Sequence, residues 1–485
     1  MLTMLGNPRR FCDGMTRRES LQVGAASLLG GLTLPQLLRA EQQGAATGRG
    51  RAKSVVVLYL HGGAPTQDMY DMKPNAAVEA RGEFKPVATT APGIEICEYL
   101  PFSTKWMHRS AIVRTVNHRA NCHNTVPSYT GWEEPLTDLS MIKDSYPPSM
   151  GSVCEFLKPA SQDLPDYVYL PTPLQWGSAV PKAGPYAGFL GKRYDPVETI
   201  ADVYLDKGVR TDVREDPPLV KGIPRLPDQK LADGVTLDRL SQRRGLLDQL
   251  DGERRRLDTR VSNAVYDRFQ QKAFDVLTSN KLRDAFDRSR ITTEVLRRYT
   301  DTIFGTSTFI AGNLVTAGVK FINVLWDWYN VRIPGIQDFG WDTHMWNFQI
   351  LKKYLPIVDL SFNALLEDLE ARGLLDETLV VVMSDFGRTP NVNKDARRDH
   401  WSHCYSVLFT GAGIRGGTTW GRSDRDAAYP ADKPGRPEDL AATVFQALGI
   451  PPETRIYDAH ARPVPVVDRK STRLNSSPIP LSRMP

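Results

Sequence analysis

Short apolar runs, each ending at polar or glycine residues, set the pattern of this chain. The first run, Val55 to Leu60, is continuous and is followed by His61, Gly62 and Gly63. A continuous apolar run is typical of a strand buried on both faces of a parallel sheet. Further candidate strands cover residues 111–116, 319–325, 379–383 and 405–410. Because ligands bind beyond the carboxyl ends of parallel strands, the polar residues after these runs are candidates for a shared site.

Amphipathic segments predict helices between and after the strands. Residues 347–372 carry apolar side chains three or four positions apart and end before Gly373. Pro356 is expected to kink this helix or to split it in two. Residues 438–448 form a final amphipathic helix. Two insertions are expected, an irregular one near the site that is rich in Pro and Gly and a charged one with helical spacing, at about residues 159–227 and 236–303.

The N-terminal segment has the pattern of an export signal. Paired arginines, Arg17 and Arg18, precede a mostly apolar stretch at residues 21–34, and together they resemble a twin-arginine signal. The stretch is shorter than the roughly 20 residues of a permanent membrane span. Residues 1–45 are therefore interpreted as a signal segment and linker, with two stretches of small residues that permit cleavage. The twin-arginine export machinery is the expected partner, and the periplasm or the extracellular space the expected location.

Composition changes this picture little. The 61 basic and 56 acidic residues leave a small excess for 485 residues, which does not favour nucleic-acid binding. Beyond the signal segment, four cysteines permit either two disulfides in three possible pairings or separate buried thiols: Cys97, Cys122, Cys154 and Cys404. The last stretch, residues 469–485, has no periodicity and resembles translated adaptor read-through. It is expected to be non-native and disordered.

Three short clusters combine His and Asp near predicted strand ends. In the first, Asp342 and His344 are two positions apart, so in an extended segment both point to one side and can bind one cation. The alternative is an Asp–His hydrogen bond or a helix cap. In the second, Asp385 follows the strand at 379–383 and Arg388 suits an anion. The alternative is a turn-forming Asp with a surface Arg.

The third cluster lies just before the last candidate strand. His400 and His403 are three positions apart, a spacing that places both on one face of a helical turn. Asp399 is a candidate to orient an imidazole by accepting a hydrogen bond from the ring nitrogen that does not bind the metal. The alternative is a pair of surface histidines.

Together the clusters offer a mixed oxygen and nitrogen donor set without a thiolate: Asp342, His344, Asp385 and His400. The expected cofactor is a divalent metal, namely zinc, manganese, magnesium, iron or calcium. Such an ion lowers the pKa of bound water and polarises an ester oxygen. A protein kinase is excluded, because no Gly-rich phosphate loop accompanies the Asp-Phe-Gly triplet. An oxidoreductase is not favoured, because no dinucleotide fingerprint or haem motif is present.

Seven motifs follow one another in a fixed order: His61-Gly62-Gly63, Lys73-Pro74, Arg81 to Pro86, Gly340 to His344, Arg372 to Leu379, Phe386 to Pro390 and Asp399 to Trp401. This ordered set resembles the bacterial domain of unknown function 1501 family over residues 50–468, as a single domain. That family resembles the alkaline phosphatase and sulfatase superfamily. The resemblance implies an α/β fold with a mostly parallel central sheet flanked by helices and, in catalytic members, two metal ions held by the Asp and His residues of the clusters.

The resemblance also has departures. His61 stands where the first strand of a phosphatase or sulfatase ends in Asp, and Phe386 follows Asp385 where the superfamily has His or Asn. Thr125 lies in a segment, Thr-Val-Pro-Ser, that is similar to the sulfatase nucleophile signature, which makes it the candidate nucleophile. His61, His123 and His403 are further candidate metal ligands.

The resulting hypothesis is an exported metal-dependent hydrolase-like protein that acts on phosphate or sulfate esters. Its substrate would be a small-molecule or polysaccharide anionic ester, and Arg388 would hold an oxygen of that anion. The alternative is a non-catalytic envelope binding protein that retains the fold, with or without one structural metal. The departures at His61 and Phe386 favour this alternative.

Overall fold

The computed structural model of the chain describes residues 51–133, 142–157, 164–175, 181–206, 217–227, 278–329, 340–394, 396–458 and 460–468. They belong to one unit, Arg49–Pro485. The expected signal segment, the expected tail and much of the charged insertion lie outside the described residues. No helix in the described ranges is long and apolar enough to cross a membrane.

In chain order the strands of these ranges are β1 (Ser54–Leu60), β2 (Pro86–Ala88), β3 (Glu95–Cys97), β4 (Ser110–Val116), β5 (Tyr167–Leu170), β6 (Val197–Glu198), β7 (Ile200–Ala201), β8 (Pro224–Arg225), β9 (Phe321–Trp326), β10 (Thr378–Met383), β11 (Gly387–Arg388), β12 (His400–Trp401), β13 (Tyr405–Gly411), β14 (Thr418–Trp420), β15 (Arg422–Ser423), β16 (Pro430–Asp432), β17 (Arg455–Tyr457) and β18 (Pro463–Pro465).

The α-helices are α1 (Val78–Arg81), α2 (Val126–Thr130), α3 (Met150–Leu157), α4 (Asn280–Ala285), α5 (Thr293–Tyr299), α6 (Ile303–Ala317), α7 (Asn347–Ala371) and α8 (Pro437–Ala447). Short 3-10 helices lie at Thr66–Asp68, Ser103–Arg109, Gly188–Leu190, Lys192–Tyr194, Arg288–Arg290 and Leu375–Glu377.

The central sheet has eight strands in the order β14-β4-β13-β10-β1-β9-β5-β6. Strand β13 runs antiparallel to both of its neighbours, and the other neighbouring pairs are parallel. The apolar runs form strands β1, β9, β10 and β13 because both faces of the sheet are covered there, so every position of these four strands is buried. The predicted α/β class, with a mostly parallel sheet flanked by helices, is confirmed.

Strand β1 shows how the two faces are covered. Val56 and Leu58 pack in the cluster that includes the apolar sides of α6 and α7. Val57 and Tyr59 pack in the opposite cluster, with residues of α3 and α8. Each fully buried aliphatic side chain of this kind contributes roughly 1.5–3 kcal/mol of transfer free energy. Strand β1 is thus buried on both faces, and His61, which directly follows it, is buried as well.

All five candidate strands are present, and the final amphipathic helix is α8. One expectation needs correction. Strand β5 lies within the segment expected to be an irregular insertion, and it pairs with β9 in the main sheet. This strand has only four residues between Pro165 and Pro171, which is too short a run to predict. Of the two outcomes expected at Pro356, the split does not occur, because α7 runs continuously through this residue.

Two cysteines of the main body are separate buried thiols. Cys97 is the last residue of β3, and Cys404 directly precedes β13. Burial raises the pKa of each thiol to about 12. Both therefore remain protonated at neutral pH and act as small apolar side chains.

Candidate metal centre

Three neighbouring strands bring their following residues to one edge of the sheet. Strands β9, β1 and β10 are parallel and in register, so their carboxyl ends lie side by side. His61 follows β1, Asp327 follows β9, and Asp385 stands two residues after β10. All three side chains are buried. The sheet therefore brings together groups that are up to 324 positions apart in sequence, from 61 to 385.

Asp385 is held by the backbone of the loop after β1. Its Oδ1 accepts hydrogen bonds from the amides of Gly62 at 3.0 Å and Gly63 at 2.7 Å. Its Oδ2 lies 3.2 Å from His123 Nδ1 and 3.8 Å from His61 Nε2. Burial by itself raises the pKa of Asp385, but the hydrogen bond to His123 and the neighbouring imidazoles outweigh it and hold that pKa well below its ordinary value. The group is therefore a buried carboxylate.

The two glycines make this close approach possible. Gly62 has φ of +120° and Gly63 has φ of +85°, values that favour glycine. A Cβ atom on Gly62 would lie 2.6 Å from the Asp342 amide nitrogen, and one on Gly63 would overlap the ring of Phe386. The Gly-Gly pair after β1 therefore allows the site loops to pack against one another.

A first group of possible metal ligands consists of His61, His123 and Asp385, all buried, with one atom of each within 4.8 Å of the others. The far side of the His61 ring is also occupied, because Nδ1 lies 3.2 Å from Asp327 Oδ1. Asp327 Oδ2 in turn accepts a hydrogen bond from the amide of Gln175 at 3.3 Å. The tautomer of His61 that carries its proton on Nδ1 would donate to Asp327 and leave Nε2 available as a metal ligand.

A second group consists of His123, Asp342 and His400. His123 Nε2 lies 3.3 Å from Asp342 Oδ2, and His400 Nε2 lies 3.2 Å from Asp342 Oδ1. Burial raises the pKa of Asp342, but hydrogen bonds to the two histidines and the charge of Arg388 outweigh it and place that pKa far below its ordinary value. Asp342 is therefore ionised between the imidazoles.

His344 completes this side of the site. Its Nε2 lies 3.1 Å from Asp342 Oδ1 and 2.8 Å from His400 Nε2, so three donor atoms converge. Its Nδ1 lies 3.0 Å from Asp399 Oδ1, which places a carboxylate behind the ring as Asp327 stands behind His61. Burial, together with the charge of Arg388, lowers the pKa of His344 despite the nearby carboxylates. If the neutral ring carries its proton on Nδ1 and donates it in a hydrogen bond to Asp399, Nε2 is available as a ligand.

Comparison with known families places the chain among related sequences. The family described as "Protein of unknown function (DUF1501)" matches residues 52–476. The chain belongs to this family. No curated protein matches the chain.

Solved structures give distant likenesses to this DUF1501 chain. A putative sulfatase from Bacteroides thetaiotaomicron VPI-5482 is 10% identical with a TM-score of 0.39, over 85% of this chain and 72% of that one. The PsFucS1 sulfatase from Pseudoalteromonas sp. is 12% identical with a TM-score of 0.36, over 84% and 72%. The lipoteichoic acid synthase LtaP from Listeria monocytogenes is 9% identical with a TM-score of 0.32, over 85% and 78%. Similarity at this level carries no argument about the reaction.

Arg388 lies in this DUF1501 site, but its guanidinium is fully buried and engaged by the protein. Nε donates to the Gly63 carbonyl at 2.7 Å, and the two terminal nitrogens donate to the carbonyls of Gly62, Trp341 and Arg398. A terminal nitrogen also contacts Asp342 Oδ1. In this arrangement Arg388 holds Asp342 and the loop after β1 in place, whereas the sequence suggested contact with an anion.

Two other candidates, Thr125 and His403, are not members of either ligand group. Thr125 is buried immediately before α2, and its hydroxyl donates to the Ala183 carbonyl at 2.6 Å. His403 is exposed, and its ring packs against Trp401 and Tyr429 with centroid distances of 4.7 and 5.7 Å. The spacing of His400 and His403 suggested one helical face, but His400 lies in strand β12, so the two rings are not brought together.

Asp327 is one of the polar residues that follow the candidate strands, but it was not among the site residues expected from the sequence. It is the first polar side chain after the apolar run of β9, and it is fully buried. The polar residues just after β1 and β10 include His61 and Asp385, which were candidates. The signal was therefore present, but a lone Asp without a neighbouring His or Gly did not stand out.

Proposed function

We propose that this protein is a metal-dependent hydrolase of phosphate or sulfate esters that works in the cell envelope. One observation carries the proposal: carboxylates and imidazoles from five separate segments converge on two adjoining ligand groups at the carboxyl edge of a parallel sheet. Ligand sites of α/β proteins lie at this edge. Mixed Asp and His groups there are typical of hydrolytic metal centres.

The donor chemistry supports a divalent ion. His344 Nε2, His400 Nε2 and Asp342 Oδ1 lie within 3.2 Å of one another, so three atoms that can bind an ion are already close together. Imidazole and carboxylate together suit zinc, manganese or iron better than magnesium or calcium, which prefer oxygen ligands alone. When bound, the metal would supply Lewis acidity and a lowered pKa for water.

The chain's own residues contribute positioning and access. Asp327 and Asp399 orient His61 and His344, and Arg388 fixes Asp342. The side chains of His344 and His400 are 38% and 21% exposed, whereas the side chain of Asp385 is fully buried. An ester would therefore approach from the side of His344 and His400.

The test is metal analysis with an ester screen on the full chain. Purified protein should contain a divalent metal and release 4-nitrophenol from 4-nitrophenyl phosphate or 4-nitrophenyl sulfate. Asp385→Asn and His400→Ala should each lose metal and at least 100-fold in kcat/KM, a loss typical when a metal centre is disrupted. Asp432→Asn and His460→Ala change exposed groups outside both ligand groups and should leave both properties intact. Metal-free protein without turnover would contradict the proposal.

The second candidate function is a non-catalytic binding protein of the envelope, and two observations favour it. The Phe386 ring packs 5.1 Å from the His123 ring and 4.6 Å from the His400 ring, where the superfamily has a polar ligand. The Thr125 hydroxyl is engaged by a carbonyl. Protein that binds metal stoichiometrically but turns over neither ester would support this function in place of hydrolysis.

A further inference from the structure

His123 belongs to both ligand groups, and it faces them with different atoms. Its Nδ1 lies 3.2 Å from Asp385 Oδ2 in the first group. Its Nε2 lies 3.3 Å from Asp342 Oδ2 in the second group. Because the two nitrogens are on opposite sides of one ring, His123 cannot present one of them to its group without presenting the other to the neighbouring group.

The surroundings of the ring hold it in this orientation. The side chain of His123 is only 5% exposed. The rings of Trp328 and Phe386 pack 5.3 and 5.1 Å from it, and the His400 ring lies edge-on at 4.5 Å. In a packed interior of this kind a ring has little freedom to rotate.

Two other histidines of the site behave differently. His61 and His344 each direct Nδ1 to a carboxylate outside the ligand groups, Asp327 and Asp399, which leaves one nitrogen for an ion. His123 instead directs both nitrogens to carboxylates within the groups. A histidine that serves one ion normally directs its second nitrogen to an outer partner.

We propose that His123 bridges two divalent ions, with Nδ1 as a ligand in the group of His61 and Asp385 and Nε2 as a ligand in the group of Asp342 and His400. The proposal rests on the metal dependence inferred above and specifies how the two groups are linked. Binding of the second ion displaces the last ring N–H proton to solvent, as ligation by an imidazole nitrogen requires. The bridge then carries one negative charge between the ions.

The charge of the site favours bound cations. Four carboxylates lie beside the histidines: Asp327, Asp342, Asp385 and Asp399. The side chains of Asp342 and Asp385, one in each ligand group, are 10% and 0% exposed, and Arg388 contacts Asp342. Buried carboxylates need nearby positive charge, which an ion in each group would supply.

The first experiment counts ions in the full chain. Protein stripped of metal, reloaded with Zn²⁺ and desalted should hold two ions by elemental analysis. His61→Ala removes a ligand of the first group, and His400→Ala removes one of the second, so each variant should hold one ion. His460→Ala, an exposed histidine outside the site, should still hold two. Circular dichroism establishes that each variant is folded.

The second experiment detects the bridge itself. Cu²⁺ binds imidazole sites tightly, and two Cu²⁺ spins joined through one imidazolate ring couple antiparallel. Protein with one Cu²⁺ should give a full electron paramagnetic resonance signal, and protein with two should lose most of its integrated intensity per ion. His123→Ala should abolish this loss, and His460→Ala should retain it.

The outcomes separate the bridge from the proposed function. Two ions at full, uncoupled intensity, or a single ion in the wild-type chain, would overturn the bridge while leaving metal-dependent hydrolysis in place. No bound ion would overturn both. Because His61→Ala and His400→Ala report independently of His123→Ala, a His123 variant that fails to fold does not remove the test.

Discussion

At the scale of single residues, Gly63 connects three groups of the site although it has no side chain. Its amide donates to Asp385 at 2.7 Å, and its carbonyl accepts from Arg388 Nε at 2.7 Å. Its α-carbon faces the Phe386 ring with no space for a Cβ atom. A buried carboxylate, a buried guanidinium and an aromatic ring are therefore positioned by one residue that has no side chain.

Gly63→Ala should be destabilising and should weaken metal binding. The new methyl group would overlap Phe386, and relief of such overpacking costs about 1–3 kcal/mol in addition to the strain of a positive φ. Gly93→Ala is the matched control, because Gly93 has a similar φ of +78° but nothing within 4 Å of its Cβ position. Urea unfolding and Zn²⁺ titration of both variants test this. Equal losses of stability in the two variants would show that the overlap with Phe386 is unimportant.

At the scale of elements, the hairpin of β11 and β12 carries His400 and is tied to the loop after β1 by a buried ion pair. Arg398 donates from Nε and a terminal nitrogen to the two oxygens of Asp68, both at 2.8 Å. Asp68 ends the 3-10 helix at Thr66–Asp68, a few residues after the glycine pair. Both side chains are buried. The pair therefore fixes the hairpin relative to the ligands that follow β1.

Arg398→Met should cost about 3–5 kcal/mol of unfolding free energy, because it leaves the Asp68 carboxylate buried without its partner. The double variant Asp68→Asn with Arg398→Met should be more stable than the single variant Arg398→Met, since the uncompensated charge is gone. Urea unfolding of the wild type, both single variants and the double variant gives the coupling energy. Simple additivity of the two single changes would contradict this account.

A second contact between elements predicts a pH dependence. Asp359 of α7 accepts hydrogen bonds from the amides of Phe102 and Ser103, at 2.8 and 2.6 Å, at the start of the 3-10 helix Ser103–Arg109. Burial raises the pKa of Asp359 from 3.8 to about 6, against the opposing effect of these hydrogen bonds. The folded chain therefore binds this proton more tightly than the unfolded chain does.

The stability contributed by this proton is complete below about pH 4 and is lost as the pH rises through about 6. The rise in the Asp359 pKa from 3.8 to about 6 corresponds to roughly 3 kcal/mol of unfolding free energy. Asp359→Asn removes the titration, so the unfolding free energy of the wild type minus that of the variant should fall between pH 4 and pH 7. Urea unfolding of both proteins at intervals across this range measures the difference. A difference that stays flat or grows with pH would contradict the raised pKa.

At the scale of the whole molecule, sequence patterns predicted the sheet better than the site. Continuous apolar runs located β1, β9 and β10 and hence the edge where His61 and Asp385 lie, because burial on both faces is visible in sequence. The pairing of Asp327 with His61 depends on strand order, which the runs do not encode. Arg388 was expected to face an anion. Its burial could not be predicted, because it depends on carbonyl groups of loops that are distant in sequence.

The same long-range convergence makes metal binding a property of the whole fold. The ligands come from segments between His61 and His400, so unfolding any large part of the sheet separates them. An ion that binds only the folded chain stabilises it by about 2.7 kcal/mol when its free concentration is about 100 times its Kd.

Removal of metal with EDTA should therefore lower the Tm of the full chain, and Zn²⁺ should restore it. Asp385→Asn should lower the Tm in the same direction and prevent rescue by Zn²⁺, because its carboxylate lies in the first ligand group. Asp432→Asn, at an exposed position, should respond to EDTA and Zn²⁺ as the wild type does. Differential scanning calorimetry with and without Zn²⁺ measures these shifts. If the Tm of the wild type were the same in EDTA and in Zn²⁺, the converging carboxylates and imidazoles would be a hydrogen-bonded network that needs no ion.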